Sequence, residues 1–432
     1  MADAPAPTPA PTPAPSPASE PGTEPTTDPV VAAARAAEAE RSVELLFARP
    51  LAALPATTLA RVRAPSGRRD PSFGGLRGPW HYWWQAHHLD AVVDAGLRRL
   101  RSGDLAGASA TAARADRVLA TVRLRNRARW TNDFYDDMAW LALAAGRLGR
   151  LHRGLERRRG HRRLRSARRT LTAELRSALT DDAGGGLFWS TERDFKNVPA
   201  SGPAALHLAR LGDLDAARRI LDWTYARLWS PETGLVADGI RLRDGAEVVV
   251  PDVWSYNQGT VLGALVTVGD PESLERAAAL VSAVDARLTT PAVLPDASGV
   301  LEASGVVDAP GIVDTPGDRR VLRTHGAGDG GLFTGILARY LALAADTDQL
   351  DASARATASR LVRDTADALW DGRDQGRHAG PPASLRGRGP GVTVFSLDPT
   401  RAAATALPAG DALELAPQLQ AWTVLEAAAR LA

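Results

Sequence analysis

Apolar residues recur along this chain at intervals of three and four, the repeat of a helix with one buried face. Met138, Leu141, Ala142 and Ala145 stand at i, i+3, i+4 and i+7. The pattern predicts helices over 30–48, 79–101, 104–124, 133–151, 161–179, 202–211, 213–229, 255–268, 271–288, 330–346, 350–370, 399–407 and 411–431. Asp270-Pro271 and Asp398-Pro399 each set a capping residue before a proline at the first helical position. Strand-like runs such as Glu247–Val250 are short and isolated, so they predict small hairpins at most.

Helices alternating without a sheet fit an all-α (α/α)6 barrel, a toroid with buried inner helices and amphipathic outer ones. An irregular α-solenoid fits the same pattern. In a toroid, loops meet inner helices in a cleft at one end. The glycine-rich stretches 183–187, 309–318 and 387–392 are candidates for its rim. Residues 1–28 are Ala, Pro, Thr and Ser with scattered acids, too polar to bury surface. They predict a disordered tail, partly polyproline II, ahead of a single domain over 29–432.

Composition narrows the function classes. A net charge of +2 over 432 residues argues against nucleic acid as the main partner. The absence of cysteine excludes disulfides and thiolate metal sites. No run of about 18 apolar residues appears, so no membrane span is expected. The tail lacks the basic and apolar regions of a signal peptide, so a cytoplasmic location is expected, with non-classical export as the alternative. Arg153–Arg169 reads as the solvated face of an outer helix rather than an anionic-surface patch. Lys196 is the one lysine, and Asn126, Asn132, Asn197 and Asn257 are the only asparagines, in a chain crowded with Arg and Ala. That bias fits a GC-rich genome. Residues kept against it are candidates for work that Arg or Asp cannot do; chance retention is the bland alternative.

The segment WTNDFYDDMAW (Trp130–Trp140) sets Asp136 and Asp137 among Trp130, Phe134, Tyr135 and Trp140. Acids among aromatic rings suit a sugar-cleaving site, where rings stack on sugar faces and carboxyls attack or protonate a glycosidic bond. First-turn acids also cap a helix and complement its dipole, the simpler reading of this segment alone. Four further segments break the background. Gly78–Ala95 gathers Trp80, Trp83 and Trp84 with His81, Gln85 and His88, either a sugar subsite or core. Gly184–Leu211 carries a glycine turn, then Phe188 and Trp189, then Lys196-Asn197 opening a helix. Trp254–Val266 opens a helix with Tyr256, Asn257 and Gln258, and Gly328–Ala344 opens one with GDGG. Helix starts of this kind converge at one end of a toroid.

The segments YDDMAWLALA, FKNVPASGPAALHLARL, WSYNQGTVLGALV and LFTGILARYLA, in that order, resemble glycoside hydrolase family 76, the α-1,6-mannanases of bacteria and fungi. WHYWWQAHHLD is similar to actinobacterial members, and the likeness spans roughly residues 78–430. The resemblance implies an (α/α)6 barrel and endo-acting, retaining cleavage of α-1,6-mannosidic bonds through a glycosyl-enzyme. The implied partner is α-mannan or a mannooligosaccharide. It also implies Asp136 as nucleophile and Asp137 as general acid/base. Consecutive helical side chains diverge by about 100°, so neighbours can flank one sugar only at a helix start. Mutual charge and the Tyr135 and Trp140 walls are expected to keep the acid protonated, with Asn132 and Asn197 as candidates to hold Asp136 ionised.

The candidate sugar-binding residues are Trp80, His81, Trp84, Gln85, Asn132, Tyr135 and Trp189, with Lys196, Asn197, Asp238, Tyr256, Asn257 and Gln258. Asp238 before Gly239 reads equally as a turn residue, and Gln258 as a bond to a helix end. Family members often carry lysine where Thr334 stands, so a cleft charge is expected to be missing. No metal or cofactor is expected: His87-His88 lacks zinc spacing, and the DDM run lacks the third acid of a magnesium motif. A monomer is expected. The alternatives are an α-mannoside-binding or transglycosylating protein on the same scaffold, and a sugar epimerase using two of His81, His87, His88 and His325.

Overall fold

The computed structural model describes residues 28–64, 77–156, 161–243, 245–292, 319–375, 391–407 and 412–432. The tail expected over 1–28 lies outside the described residues except for Asp28, as do the stretch 309–318 and most of 387–392. Helices dominate: α1 (Pro29–Phe47), α2 (Tyr82–Arg101), α3 (Leu105–Arg125), α4 (Tyr135–Gly154), α5 (His161–Ala178), α6 (Val198–Arg210) and α7 (Leu214–Leu228). They continue with α8 (Ser255–Val268), α9 (Pro271–Arg287), α10 (Gly330–Ala345), α11 (Ala352–Asp371), the short α12 (Ala403–Ala406) and α13 (Leu415–Leu431).

Their packing forms a circuit. α2 packs on α4, α4 on α6, α6 on α8, α8 on α10, α10 on α13, and α13 on α2. The remaining long helices lie outside it: α3 against α2, α5 against α4, α7 against α6, α9 against α8, α11 against α10, and α1 against α13. Sequence explains the sorting. α8 is buried almost all round, and only Tyr256 and Thr267 escape burial. α9 buries the single stripe Ser273, Ala277, Leu280, Val281 and Val284. Glycine lets inner helices approach: a Cβ on Gly259 would stand 2.8 Å from the Leu337 Cα. Asp270 caps α9 as expected, accepting from Ser273 N at 2.9 Å ahead of Pro271.

Three expectations change. α6 begins at Val198 rather than 202, because Asn197 caps it and Pro199 falls in the first turn, where a missing N–H costs nothing. Asp398 does not start a helix; it accepts from Thr400 N at 2.9 Å in a turn, and only Ala403–Ala406 is helical. The strand signal is larger than a hairpin: Phe195–Asn197, Gly239–Arg243 and Ala246–Val250 form one antiparallel sheet. The basic stretch on α5 turns Arg162, Arg163, Arg165 and Arg169 to solvent, as a solvated face should. No described helix is long and apolar enough to cross a membrane.

Buried ion pairs join the inner helices. Arg147 on α4 binds Asp90 at 2.5 Å and also Asp94, both on α2. Arg339 on α10 reaches the same two carboxylates at 3.2 and 2.7 Å. Nearby, Arg98 bridges Glu426 on α13 at 3.0 Å and Glu40 on α1 at 2.9 Å. Burial acts against the Asp94 charge, but the two guanidiniums prevail and hold its carboxyl well below the usual range.

We predict that Arg147→Ala, which leaves two buried carboxylates to Arg339 alone, costs about 3–5 kcal/mol in urea unfolding at pH 7. Because the folded pKa of Asp94 is depressed, its contribution is complete above the unfolded pKa of about 4 and fades as pH falls below it. The wild-type advantage over Arg147→Ala should therefore shrink in acid; an advantage unchanged down to pH 2 would contradict this account.

Candidate active site

The start of α4 is built by side chains ahead of it. Asn132 Oδ1 accepts from Phe134 N at 3.1 Å, and Asn132 Nδ2 donates to Asp137 Oδ2 at 2.5 Å. Asp136 Oδ1 accepts the Asp137 N–H at 2.8 Å, and its Oδ2 accepts from Trp189 Nε1 at 3.0 Å. The Trp83 N–H, in the first turn of α2, also donates to Asp137. The Trp189 loop is stitched to the same place: Tyr135 N donates to Trp189 O at 2.7 Å, and Thr191 N to Asp133 O at 2.9 Å.

Both carboxyls lie at the floor of a cleft of about 410 Å³, touched by solvent yet ringed by protein. Desolvation pushes Asp136 up to about 7, against the pull of the Asp137 and Trp189 N–H donors. Asp137 is driven higher, first by desolvation and then by the Asp136 charge, with Asn132 drawing it back in part. The Asp329 carboxylate opposes ionisation of both. The charge of Asp136 thus favours the protonated form of Asp137.

Aromatic rings wall the cleft. Tyr256 stacks on Phe333 at 3.9 Å and 12°, Trp83 lies 6.3 Å from Phe333, and Trp140 lies 6.2 Å from Tyr256. Phe134 and Trp189 stand 5.0 Å apart across from them. Asp238 faces the cleft from the sheet; Asn257 Nδ2 donates to its Oδ1 at 2.9 Å, and burial raises its carboxyl to about 6. Arg241 lies 4.3 Å over the Phe195 ring at the same wall. His81, the N-cap of α2, has φ of 41°, a strained conformation for histidine, and stacks on Trp84 at 4.6 Å.

The structure brings Asp136, Asp137, His81, Trp189, Asn197, Asp238 and Tyr256 to this cleft. Asn132 and Asn257 stand behind it, each holding one of its carboxylates. The other candidates serve the scaffold. Trp84 is buried with its Nε1 on Asp329 at 2.8 Å, because α2 starts one residue before Trp83 and turns Trp84 inward. Trp80 packs edge-on to Tyr82 beneath Arg125. Gln85 is spent on both backbone groups of Ala60, and Gln258 on both of Val236. Lys196 does not reach the cleft; its buried ammonium gathers the carbonyls of Thr180, Gly185 and Gly186 at 2.7, 2.7 and 3.2 Å. Tyr135 is buried in the first turn of α4. Asn197 caps α6 through Ala200 N at 3.1 Å and makes no bond to Asp136, which takes its donors from Trp189 and the backbone.

Sequence reasoning placed Trp83 in an aromatic cluster that could be a subsite without choosing it as a ligand, and it missed Asp329, Phe333 and Arg241 as cleft residues. Asp329 and Phe333 lie in the GDGG segment, whose helix start signalled them; Arg241 comes from a sheet that a helical pattern does not reveal. Thr334 is buried outside the cleft, its hydroxyl on Arg323 O at 2.7 Å, so its identity removes no charge from the cleft wall. His81 is the one histidine lining the cleft among the described residues, which leaves the paired-histidine reading without a partner. No group of three metal-ligating side chains occurs among the described residues.

Residues 66–383 match the model of Glycosyl hydrolase family 76. Among solved structures, the GH76A α-1,6-mannanase from Salegentibacter sp. HEL1_6 is 24% identical with TM-score 0.68, covering 93% of this chain and 100% of that one. An inactive variant of that enzyme, with two adjacent aspartates changed to asparagine and α-1,6-mannotriose bound, gives TM-score 0.67 at 23% identity, over 93% and 100% of the two chains. The Lin0763 protein from Listeria innocua gives TM-score 0.66 at 23% identity, over 93% and 97%. No curated protein matches the chain.

A carboxyl whose folded pKa is raised lowers stability as pH climbs from its unfolded value towards its folded one. Asp137→Asn should therefore raise the melting temperature at pH 7 and leave it nearly unchanged at pH 3, where the carboxyl is protonated folded or unfolded. A gain equal at both pH values would contradict the strained-charge account.

Proposed function

The chain belongs to glycosyl hydrolase family 76, and on that premise we propose that it cleaves α-1,6-mannosidic bonds within a mannan chain, with retention. One observation carries the reading: two adjacent carboxyls, each with its own hydrogen-bond donors, line one aromatic cleft. In this reading Asp136, held by two N–H donors, attacks the anomeric carbon. Asp137 protonates the departing glycosidic oxygen, leaving a covalent mannosyl ester on Asp136. Asp137, now ionised, takes a proton from water; the hydroxide oxygen bonds to the anomeric carbon and Asp136 leaves as carboxylate. The parallel rings of Tyr256 and Phe333 offer a flat apolar surface for a pyranose, with Asp238 and His81 at hand for hydroxyls.

The substrate class is supported by the bound mannotriose and mannotetrose in the Salegentibacter relatives, and by the adjacent aspartate pair altered in those inactive variants. The closed circuit of six inner helices with six outer partners supports reading the fold as an (α/α)6 toroid. The arginine-for-lysine bias supports an actinobacterial-type member.

The test is incubation with linear α-1,6-mannan, with reducing ends measured and the first products read by anomeric NMR. Wild type should release short oligosaccharides whose new ends appear first as the α anomer. Asp137→Ala should slow release by about 10²–10⁴-fold, and Asp136→Ala should show no turnover. β-anomeric first products would overturn retention, and undiminished cleavage by either variant would overturn the residue roles.

A further inference from the structure

The inner helices run in one direction. N-terminal residues of α2, α4, α8 and α10 and the N-cap of α6 line the cleft, and C-terminal residues of α2, α4, α6, α10 and α13 line a second cavity of about 350 Å³ at the other end. Arg150 lies fourteen residues along α4 from Asp136, about 20 Å by helical rise, so the two sites are separate. Arginine dominates the second cavity. Arg101 ends α2, Arg150 lies in the last turns of α4, and Arg210 ends α6; Arg147, Arg339 and Arg430 complete the set.

The cavity's carboxylates are already paired, and its arginines outnumber them. Asp94 is held by Arg147 and Arg339, Glu426 by Arg98, and Asp346 by Arg430. Arg210 Nη1 is sealed from solvent with no hydrogen-bond acceptor. Arg150 reaches solvent at the mouth, but desolvation, then the charges of Arg210 and Arg147, push its guanidinium down to about 9, still protonated at neutral pH. Arginine near a helix C-terminus commonly complements the dipole. That accounts for the positions of Arg101 and Arg210, but not for a sealed nitrogen without an acceptor, since a terminal carbonyl would have supplied one. The surplus of positive charge calls for an anion, and guanidinium forks match the paired oxygens of a phosphate group.

We propose that this far-end cavity is a phosphate-binding site, with the anion held between Arg150 and Arg210 and Arg101 at its edge. The cavity is larger than a bare ion requires, so the phosphate is either free or carried on a sugar.

Titration calorimetry on the full chain tests this, with inorganic phosphate and with a hexose 6-phosphate at constant ionic strength in chloride. Saturable binding to wild type is expected, weakened about tenfold or more by Arg150→Gln and by Arg210→Gln. Arg150→Gln carries the test if Arg210→Gln fails to fold, because its side chain reaches solvent. Tighter binding of the sugar phosphate assigns the ligand to phosphorylated sugars, and equal binding assigns it to free phosphate. Absence of saturable phosphate binding to wild type, or binding undiminished by Arg150→Gln, overturns the proposal.

Discussion

The alignment of the inner helices governs the rest of this structure. Each carries partial positive charge at its N-terminus and partial negative charge at its C-terminus, and running them together gathers like ends. The N-terminal end favours anions, and there Asp136, Asp137, Asp238 and Asp329 share one cleft. The C-terminal end favours cations, and there the arginines of four inner helices besides α8 and α10 cluster with Arg339 of α10. Beside that cluster Asp90 and Asp94 meet Arg147 and Arg339, where opposite charges cancel inside the packed circuit.

The acid pair follows from that alignment. At a helix start, backbone N–H groups are unpaired, so a carboxylate finds donors without help from distant residues. Asp136 takes the Asp137 N–H there, and a single indole supplies its second donor. Asp137 receives the Trp83 N–H from the first turn of a second helix. Desolvation outweighs these donors in both groups, and the neighbour's charge adds to it at Asp137. Two residues of one type thus acquire different donors and neighbouring charges, the condition for dividing attack and protonation between them.

Much of this was legible in the chain. Helical periodicity located the long helices, because buried faces repeat wherever inner and outer helices pack. The scarce amide and lysine residues proved a good guide to structural importance. Asn132 and Asn257 each hold a cleft carboxylate, Asn197 caps α6, and Asn126 pins the turn before the acid segment through Arg129 O and Thr131 O. Lys196 also has specific work, but in the loop behind the cleft, where its compact ammonium gathers three carbonyls. What sequence did not reveal was direction. Trp83 and Trp84 are neighbours of one type, and only the register of α2 decides that the first faces the cleft and the second the interior. Gln85 and Gln258 looked like sugar ligands because polar residues at helix starts commonly are; here each instead satisfies a backbone segment that passes the helix. Arg241 depends on a sheet pairing of distant segments, which no local pattern encodes.

Burial at one end of the fold holds both Asp136 and Asp137 above the ordinary aspartate range, and Asp137 also feels its neighbour's charge. Carboxyl-carbon NMR of protein labelled at aspartate, with Asp136→Asn and Asp137→Asn used to assign the two signals, measures it directly. The account predicts two linked titrations, both above the ordinary aspartate range, with the Asp137 carboxyl retaining its proton to the higher pH. Both carboxyls titrating together near pH 4, as solvated aspartates do, would contradict it.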